Sequence, residues 1–229
     1  MTDRPASDIT VEAVRAILAP RAPLYKIRTP NYQTVLLQQL QTIWDAAHRR
    51  VLDVGGGTGL LAESIYQLFP VDSVTSVDLE NRFLPNLNVT TAVFDGQTLP
   101  FPDNSFDCAV LNNVLHHVPR QHRVKLVSEC KRVAGPVYVK DHLSTGAIDR
   151  IALHFFDVIG NVPFSGMVKA EYLDSAEWRE LATLTGYEMS TFRSGKYRGG
   201  IEALLGPNRL DFISRFEPIS DAERRPNAP

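Results

Sequence analysis

The 229-residue chain is poor in the residues that mark specialised protein classes, with 2 cysteines, 3 methionines and 2 tryptophans. Two cysteines are too few for a disulfide framework, so we expect reduced Cys108 and Cys130 thiols and a cytoplasmic protein. No apolar run reaches the ~18–20 residues that span a bilayer. The polar start MTDRPASDIT lacks the apolar core of a secretion signal. These absences predict a protein without a membrane partner.

The chain also lacks a charge excess, since 24 basic and 26 acidic residues give a formal net charge of −2. Nucleic-acid-binding proteins usually carry a basic stripe, so we expect no nucleic-acid partner. The six histidines show no zinc-like spacing with one another or with cysteine, so we expect no bound metal. With 44% hydrophobic and 22% charged residues, the composition is that of an ordinary globular protein rather than a disordered one.

Short apolar runs alternate with segments of helical periodicity along the chain. This rhythm predicts an α/β fold with a mostly parallel sheet and helices on both faces. Strands are predicted at 50–54, 73–77, 89–94, 106–111, 136–140, 187–193 and 197–205. We further expect a helical cap or lid over 1–48, a main domain over 49–206 and a C-terminal tail over 207–229. Within the main domain, residues 143–172 are too apolar for a solvated loop and are expected to form an acceptor-site insertion.

A glycine cluster follows the first predicted strand directly. Gly55, Gly57 and Gly59 alternate after Val51–Val54, and glycine lets the backbone turn tightly or approach a ligand. The spacing does not fit G-x-G-x-x-G, and the phosphate loop ending in Gly-Lys-Ser/Thr is absent. At the carboxyl end of a central parallel strand, such a turn predicts a ligand-binding loop.

Four segments in order resemble the class I S-adenosylmethionine-dependent methyltransferases of the small-molecule type: Val51–Gly59, Ser76–Leu79, Phe94–Asp107 and Asn112–Val118. The resemblance covers roughly residues 51–141. It implies a Rossmann-like, doubly wound, seven-stranded fold and S-adenosyl-L-methionine as cofactor.

The resemblance also implies roles for individual residues. Asp78, at a strand end about 20 residues after the loop, suits the ribose diol because a carboxylate offers two acceptor oxygens. Asp53 would order the loop or reach the donor's amino group, and Asp95 with Gly96 would meet the adenine, sandwiched by Leu79 and Leu99. The predicted cofactor-binding residues are Tyr32, Asp53, Gly55, Gly57, Asp78, Leu79, Asp95, Gly96, Asn112 and His117.

The acceptor side has fewer sequence signals. Methyl transfer depends mainly on alignment, helped by a base where the acceptor must lose a proton. Asp141 and His142, at the end of a strand, are the predicted catalytic pair, because a carboxylate can orient an imidazole. The predicted substrate-binding residues are Tyr25, His154, Phe155, Asn161 and Phe164.

These expectations define a function. The sequence predicts methyl transfer to an O or N atom of a small aromatic or heterocyclic metabolite. The alternatives are a nucleic-acid or protein methyltransferase, or a non-catalytic protein that binds S-adenosylmethionine. A nicotinamide oxidoreductase is disfavoured by the glycine spacing.

Overall fold

Seven strands form one sheet in the residues that the computed structural model describes, which are 8–161, 167 and 169–219. The strands run in the order β3-β2-β1-β4-β5-β7-β6. The first five are parallel, and β7 lies antiparallel between β5 and β6. This topology confirms the predicted doubly wound α/β fold. The strands are β1 (Arg50–Val54), β2 (Ser73–Asp78), β3 (Thr90–Val93), β4 (Cys108–Asn112), β5 (Val137–His142), β6 (Tyr187–Arg193) and β7 (Asp211–Pro218).

The described helices connect these strands. They are α1 (Val11–Leu18), α2 (Leu24–Ile27), α3 (Asn31–Ile43), α4 (Leu60–Leu68), α5 (Arg120–Ala134), α6 (Ala147–Asn161), α7 (Ser175–Leu184) and α8 (Gly200–Leu205). None of them combines the length and the apolar character that crossing a membrane requires.

The sheet separates two apolar cores. Successive residues of a strand face opposite sides, so Val51 packs in one core with α1, α3 and α4 while Leu52 packs in the other with α5 and α7. Trp178 of α7 is fully buried in the second core and donates its indole N–H to the carbonyl of His142 over 3.1 Å. Each large apolar side chain buried in this way contributes about 1.5–3 kcal/mol. The carboxyl end of β5 is therefore held by well-packed neighbours.

The predicted strand at 197–205 is wrong, because residues 200–205 form α8 and the seventh strand lies further along the chain. Residues 207–229, expected to be a tail, include this strand. Phe212, Ser214 and Phe216 alternate along β7 with residues that face the opposite side of the sheet. Both edges of the strand pair with neighbouring strands, and its two faces pack into the two apolar cores, so its burial is nearly continuous.

Candidate functional site

The glycine cluster forms a tight turn between β1 and α4. Gly55, Gly57 and Gly59 all have positive φ values, between 56° and 78°, which side chains with a Cβ adopt only at a cost. Gly56 is needed for a different reason, since a Cβ there would lie 1.8 Å from the Ser76 hydroxyl and 2.4 Å from the Asp53 carboxylate. The backbone thus bends where the sequence predicts a ligand loop.

Asp78 ties this loop to the end of β2. Its Oδ2 accepts from the backbone N–H of Gly57 over 2.7 Å, and its Oδ1 accepts from the Arg82 guanidinium over 3.0 Å. Asp78 as a whole is 3% exposed, and it lies at the edge of the sheet where the parallel strands end. The loop and the acid that the sequence assigns to the ribose are therefore in direct contact.

Asp53 lies buried beneath the same loop, at 1% exposure. The Ser76 hydroxyl donates to its Oδ2 over 2.6 Å. Burial raises the pKa of Asp53 to about 7, against the lowering effect of the Ser76 hydrogen bond, with a small further rise from Asp78. Of the two roles that the resemblance implies for Asp53, these contacts support the ordering of the loop.

Of the residues assigned to the adenine, Leu79 and Asp95 are exposed and Leu99 is buried. Leu79 is 47% exposed and packs against the site of Gly96, where a Cβ would lie 2.6 Å from its side chain. Asp95 is exposed, and hydrogen bonds from the backbone N–H groups of Thr98 and Gln97 lower its pKa. Leu99 is 1% exposed within the second core, so it does not form the predicted sandwich with Leu79.

Lys140 is a buried site residue that the sequence did not predict, and it contacts the start of α3 and the end of β4. The Lys140 ammonium donates to Asn113 Oδ1 and to Asp211 Oδ1, both over 2.7 Å, and to the hydroxyl of Tyr32. Burial disfavours its charge, yet Asp211 and the neighbouring tyrosines raise the pKa of Lys140. Asn112, predicted near the methionine end of the donor, is half-buried and has a buried Oδ1 without a hydrogen-bond donor among the described residues. Tyr32 and Asn112 thus lie close to this lysine at one end of the sheet.

Asp141 does not pair with the side chain of His142, and that part of the prediction is wrong. Its Oδ1 accepts from His116 Nδ1 over 2.5 Å and from the backbone N–H of His142 over 2.7 Å. The His116 ring bonds to the Asp141 carboxylate, and the centroid of that ring lies 4.8 Å from the centroid of the His142 ring. The imidazole that Asp141 orients belongs to His116, which is 1% exposed.

A second carboxylate, from α6, lies between the two imidazoles. Asp157 Oδ2 is 3.3 Å from His116 Nε2, and Asp157 Oδ1 is 3.4 Å from His142 Nε2. The Tyr172 hydroxyl donates to Asp157, while His142 Nδ1 lies 3.0 Å from Asp211. We call Asp141, His116, His142 and Asp157 the polar cluster. Burial opposes the positive charge of His116, but the carboxylates of Asp141 and Asp157 raise its pKa to about 9.

His117 lies beside the polar cluster, with its ring centroid 4.0 Å from that of His116. Its Nδ1 donates to the backbone carbonyl of Lys169 over 2.8 Å. Burial and the adjacent His116 lower its pKa. The structure therefore brings the predicted cofactor-side histidine together with the polar cluster.

The predicted substrate residues are scattered. Tyr25 is 4% exposed in the first core, where its hydroxyl accepts from Gln33 over 2.5 Å, so it is a packing residue. His154 and Phe155 are exposed on α6, with Phe155 54% exposed. Asn161 ends α6, and its side chain lies outside the described part of the structure. Phe164 lies outside the described residues altogether.

The fold and the glycine loop define a Rossmann-like domain that binds a nucleoside cofactor at the ends of its parallel strands. Residues 52–137 match the family model described as a methyltransferase domain. The ubiquinone/menaquinone biosynthesis C-methyltransferase UbiE of Ectopseudomonas oleovorans is 32% identical over 102 residues, which are 39% of this chain. The match spans 59% of the length of that relative.

Two solved structures share the fold. A methyltransferase of Haloferax volcanii, solved in complex with the activator Trm112, aligns with a TM-score of 0.64 and 12% identity over 92% of this chain and 97% of its own. A SAM-dependent methyltransferase from Methanosarcina mazei aligns with a TM-score of 0.56 and 20% identity over 80% of this chain and 98% of its own. Residues 52–137 are therefore similar to a methyltransferase domain, and the predicted resemblance to the class I S-adenosylmethionine-dependent methyltransferases, the fold and the cofactor are confirmed.

Proposed function

We propose that the protein transfers a methyl group from S-adenosylmethionine to an O or N atom of a small aromatic or heterocyclic metabolite. The observation that carries the proposal is the contact between Gly57 and Asp78, which holds a bare backbone turn against a strand-end carboxylate. The turn offers close approach to a nucleoside, and the carboxylate offers acceptors for its ribose.

The polar cluster supports the acceptor half of this proposal. It lies at the carboxyl ends of β4 and β5, the edge of the sheet that also carries the glycine loop. Methyl transfer to a hydroxyl or amine requires in-line alignment and the loss of one proton. His142 and Asp141 stay our candidates for the catalytic pair, His142 to hold the acceptor's proton and Asp141 to position the neighbouring His116. The net charge of −2 favours a small acceptor over nucleic acid.

C-methylation is a second candidate, because the relative from Ectopseudomonas oleovorans is named a C-methyltransferase. A phenol that loses its proton becomes nucleophilic at the oxygen and also at the ring carbons ortho and para to it. The same polar cluster would therefore serve either reaction. We also propose a cytoplasmic location, in keeping with the free, buried thiols of Cys108 and Cys130.

The test is transfer of a tritiated methyl group to panels of phenols, heterocyclic amines and quinols, with mass spectrometry to locate the added CH2. The proposal expects label in at least one small molecule, with fragmentation distinguishing O-, N- and C-methyl products. Parallel incubations with RNA, DNA and protein are the comparison. Label confined to a macromolecule, or no transfer at all to any acceptor, would contradict the proposal.

A further inference from the structure

The fold brings together three side chains of types that can bind a metal ion. His116 and His117 follow β4 in sequence, and Asp157 comes from α6, about 40 residues further along. Their potential ligand atoms all lie within 4.8 Å of one another. The sequence predicts no metal because the third side chain is too distant to form a recognisable spacing. In the folded chain, Asp157 lies beside the two histidines despite its distance from them in sequence.

The distance between two of these atoms suits a shared ion. His116 Nε2 and Asp157 Oδ2 are 3.3 Å apart. Two ligands that bind zinc at about 2.0–2.1 Å with tetrahedral angles stand about 3.3–3.4 Å apart. His116 Nε2 is buried, and among the described residues it has no partner with hydrogen-bond geometry. A buried ring nitrogen that faces a carboxylate without completing a hydrogen bond suits a cation held between the two.

Each imidazole is also oriented as metal-binding histidines are. His116 Nδ1 contacts Asp141 Oδ1 over 2.5 Å, and His117 Nδ1 donates to the Lys169 carbonyl over 2.8 Å. A metal-bound histidine almost always donates its other ring N–H to a carboxylate or a carbonyl, which fixes the tautomer. The Tyr172 hydroxyl donates to the Asp157 carboxylate and orients it in the same way.

We propose that His116, His117 and Asp157 bind a divalent transition-metal ion of the zinc type. Two imidazoles and one carboxylate form a donor set that zinc, cobalt and iron accept, and a three-ligand site leaves a position for water or an acceptor oxygen. Metal binding needs neither methyl donor nor acceptor. A role for the ion in lowering the pKa of an acceptor hydroxyl rests in addition on the proposed function.

The test uses tag-free protein, stripped with EDTA, dialysed against Zn²⁺ and analysed by elemental mass spectrometry. We expect about one Zn²⁺ per wild-type chain, and at least ~10-fold weaker binding in His117→Ala and Asp157→Asn. His122→Ala, on α5, is the matched control and should bind as the wild type does. Zn²⁺ should raise the Tm of the wild type and the control, and of neither site variant. No bound Zn²⁺ in the wild type, or equal binding in the site variants, would overturn the proposal.

X-ray absorption on the wild-type zinc complex decides the matter even if a site variant misfolds. We expect a nitrogen and oxygen shell at about 2.0–2.1 Å with two imidazoles and no sulfur. A shell with fewer than two imidazoles would contradict the assignment. Donor binding by the same samples, measured by calorimetry, tests the proposed function separately, so the two proposals fail independently.

Discussion

The backbone N–H of Gly57 donates to Oδ2 of Asp78 over 2.7 Å and joins the turn after β1 to the end of β2. The amide N–H of a residue at positive φ and a nearly buried carboxylate thus meet at the switch between neighbouring strands. Two further bonds, from the N–H groups of Gly55 and Gly56 to the carbonyl of Val77, hold the turn in place. These hydrogen bonds preorganise the loop for ligand binding.

Asp78→Ala should weaken the binding of S-adenosylhomocysteine, the demethylated donor, by more than ~1 kcal/mol, because a charge-assisted hydrogen bond to the ribose is lost. Isothermal titration calorimetry measures the change. Asp103→Ala, which removes an exposed carboxylate that pairs with Arg132 away from the loop, is the control. Equal affinities of Asp78→Ala and the wild type would remove Asp78 from the donor site.

Alanine at Gly56 should destabilise the protein more than alanine at Gly57. The Gly56 Cβ would collide with the hydrogen-bonded Ser76 and Asp53, and overpacking of this kind costs about 1–3 kcal/mol. The Gly57 Cβ would meet nothing within 4 Å, so only its left-handed backbone would cost about 1–2 kcal/mol. Urea denaturation compares the two variants, and a larger loss for Gly57→Ala would show that the turn is described wrongly.

Asp53 should make stability fall as the pH rises. Burial raises its folded pKa to about 7, so between about pH 4 and 7 the native state keeps a proton that the unfolded state has lost. The free energy of unfolding should decline across that window by on the order of a few kcal/mol from this group. Asp53→Asn keeps an acceptor for Ser76 and cannot ionise, so the difference between variant and wild type isolates Asp53. A difference that stays constant from pH 4 to 7 would refute the raised pKa.

His142→Ala should lower turnover more than donor affinity. Its imidazole faces Asp157 of the polar cluster and Asp211 of β7, and it takes no part in the contact between Gly57 and Asp78. Single-turnover transfer of labelled methyl to an accepted small molecule gives the rate, and calorimetry gives the donor Kd. His122→Ala serves as the control. Turnover at the wild-type level would return His142 to a structural role.

The sequence predicts the donor side of the site well because its signals are local. Gly55–Gly59 follow β1 directly, and Asp78 ends β2, so strand order alone brings them together. The acceptor side depends on contacts between distant elements. Asp141 orients His116, which comes from the loop after β4, and Asp157 reaches both imidazoles from α6.

The seventh strand escaped prediction for a related reason. Residues 201–205 are apolar enough to suggest a strand, but Glu202, Ala203 and Leu204 favour a helix. The segment 211–218 follows a polar stretch and mixes charged with apolar residues, which suggests an exposed tail. Pairing with β5 places Asp211 opposite His142 and beside Lys140. This register gives the buried charges of Lys140 and Asp211 their partners.

A crystal structure with S-adenosylhomocysteine bound tests the central claim most directly. The account predicts the nucleoside against residues 55–59, its ribose hydroxyls bonded to the Asp78 carboxylate and its base beside Leu79. A crystal in which this loop stays empty at saturating ligand, or in which the ligand occupies another surface, would contradict it.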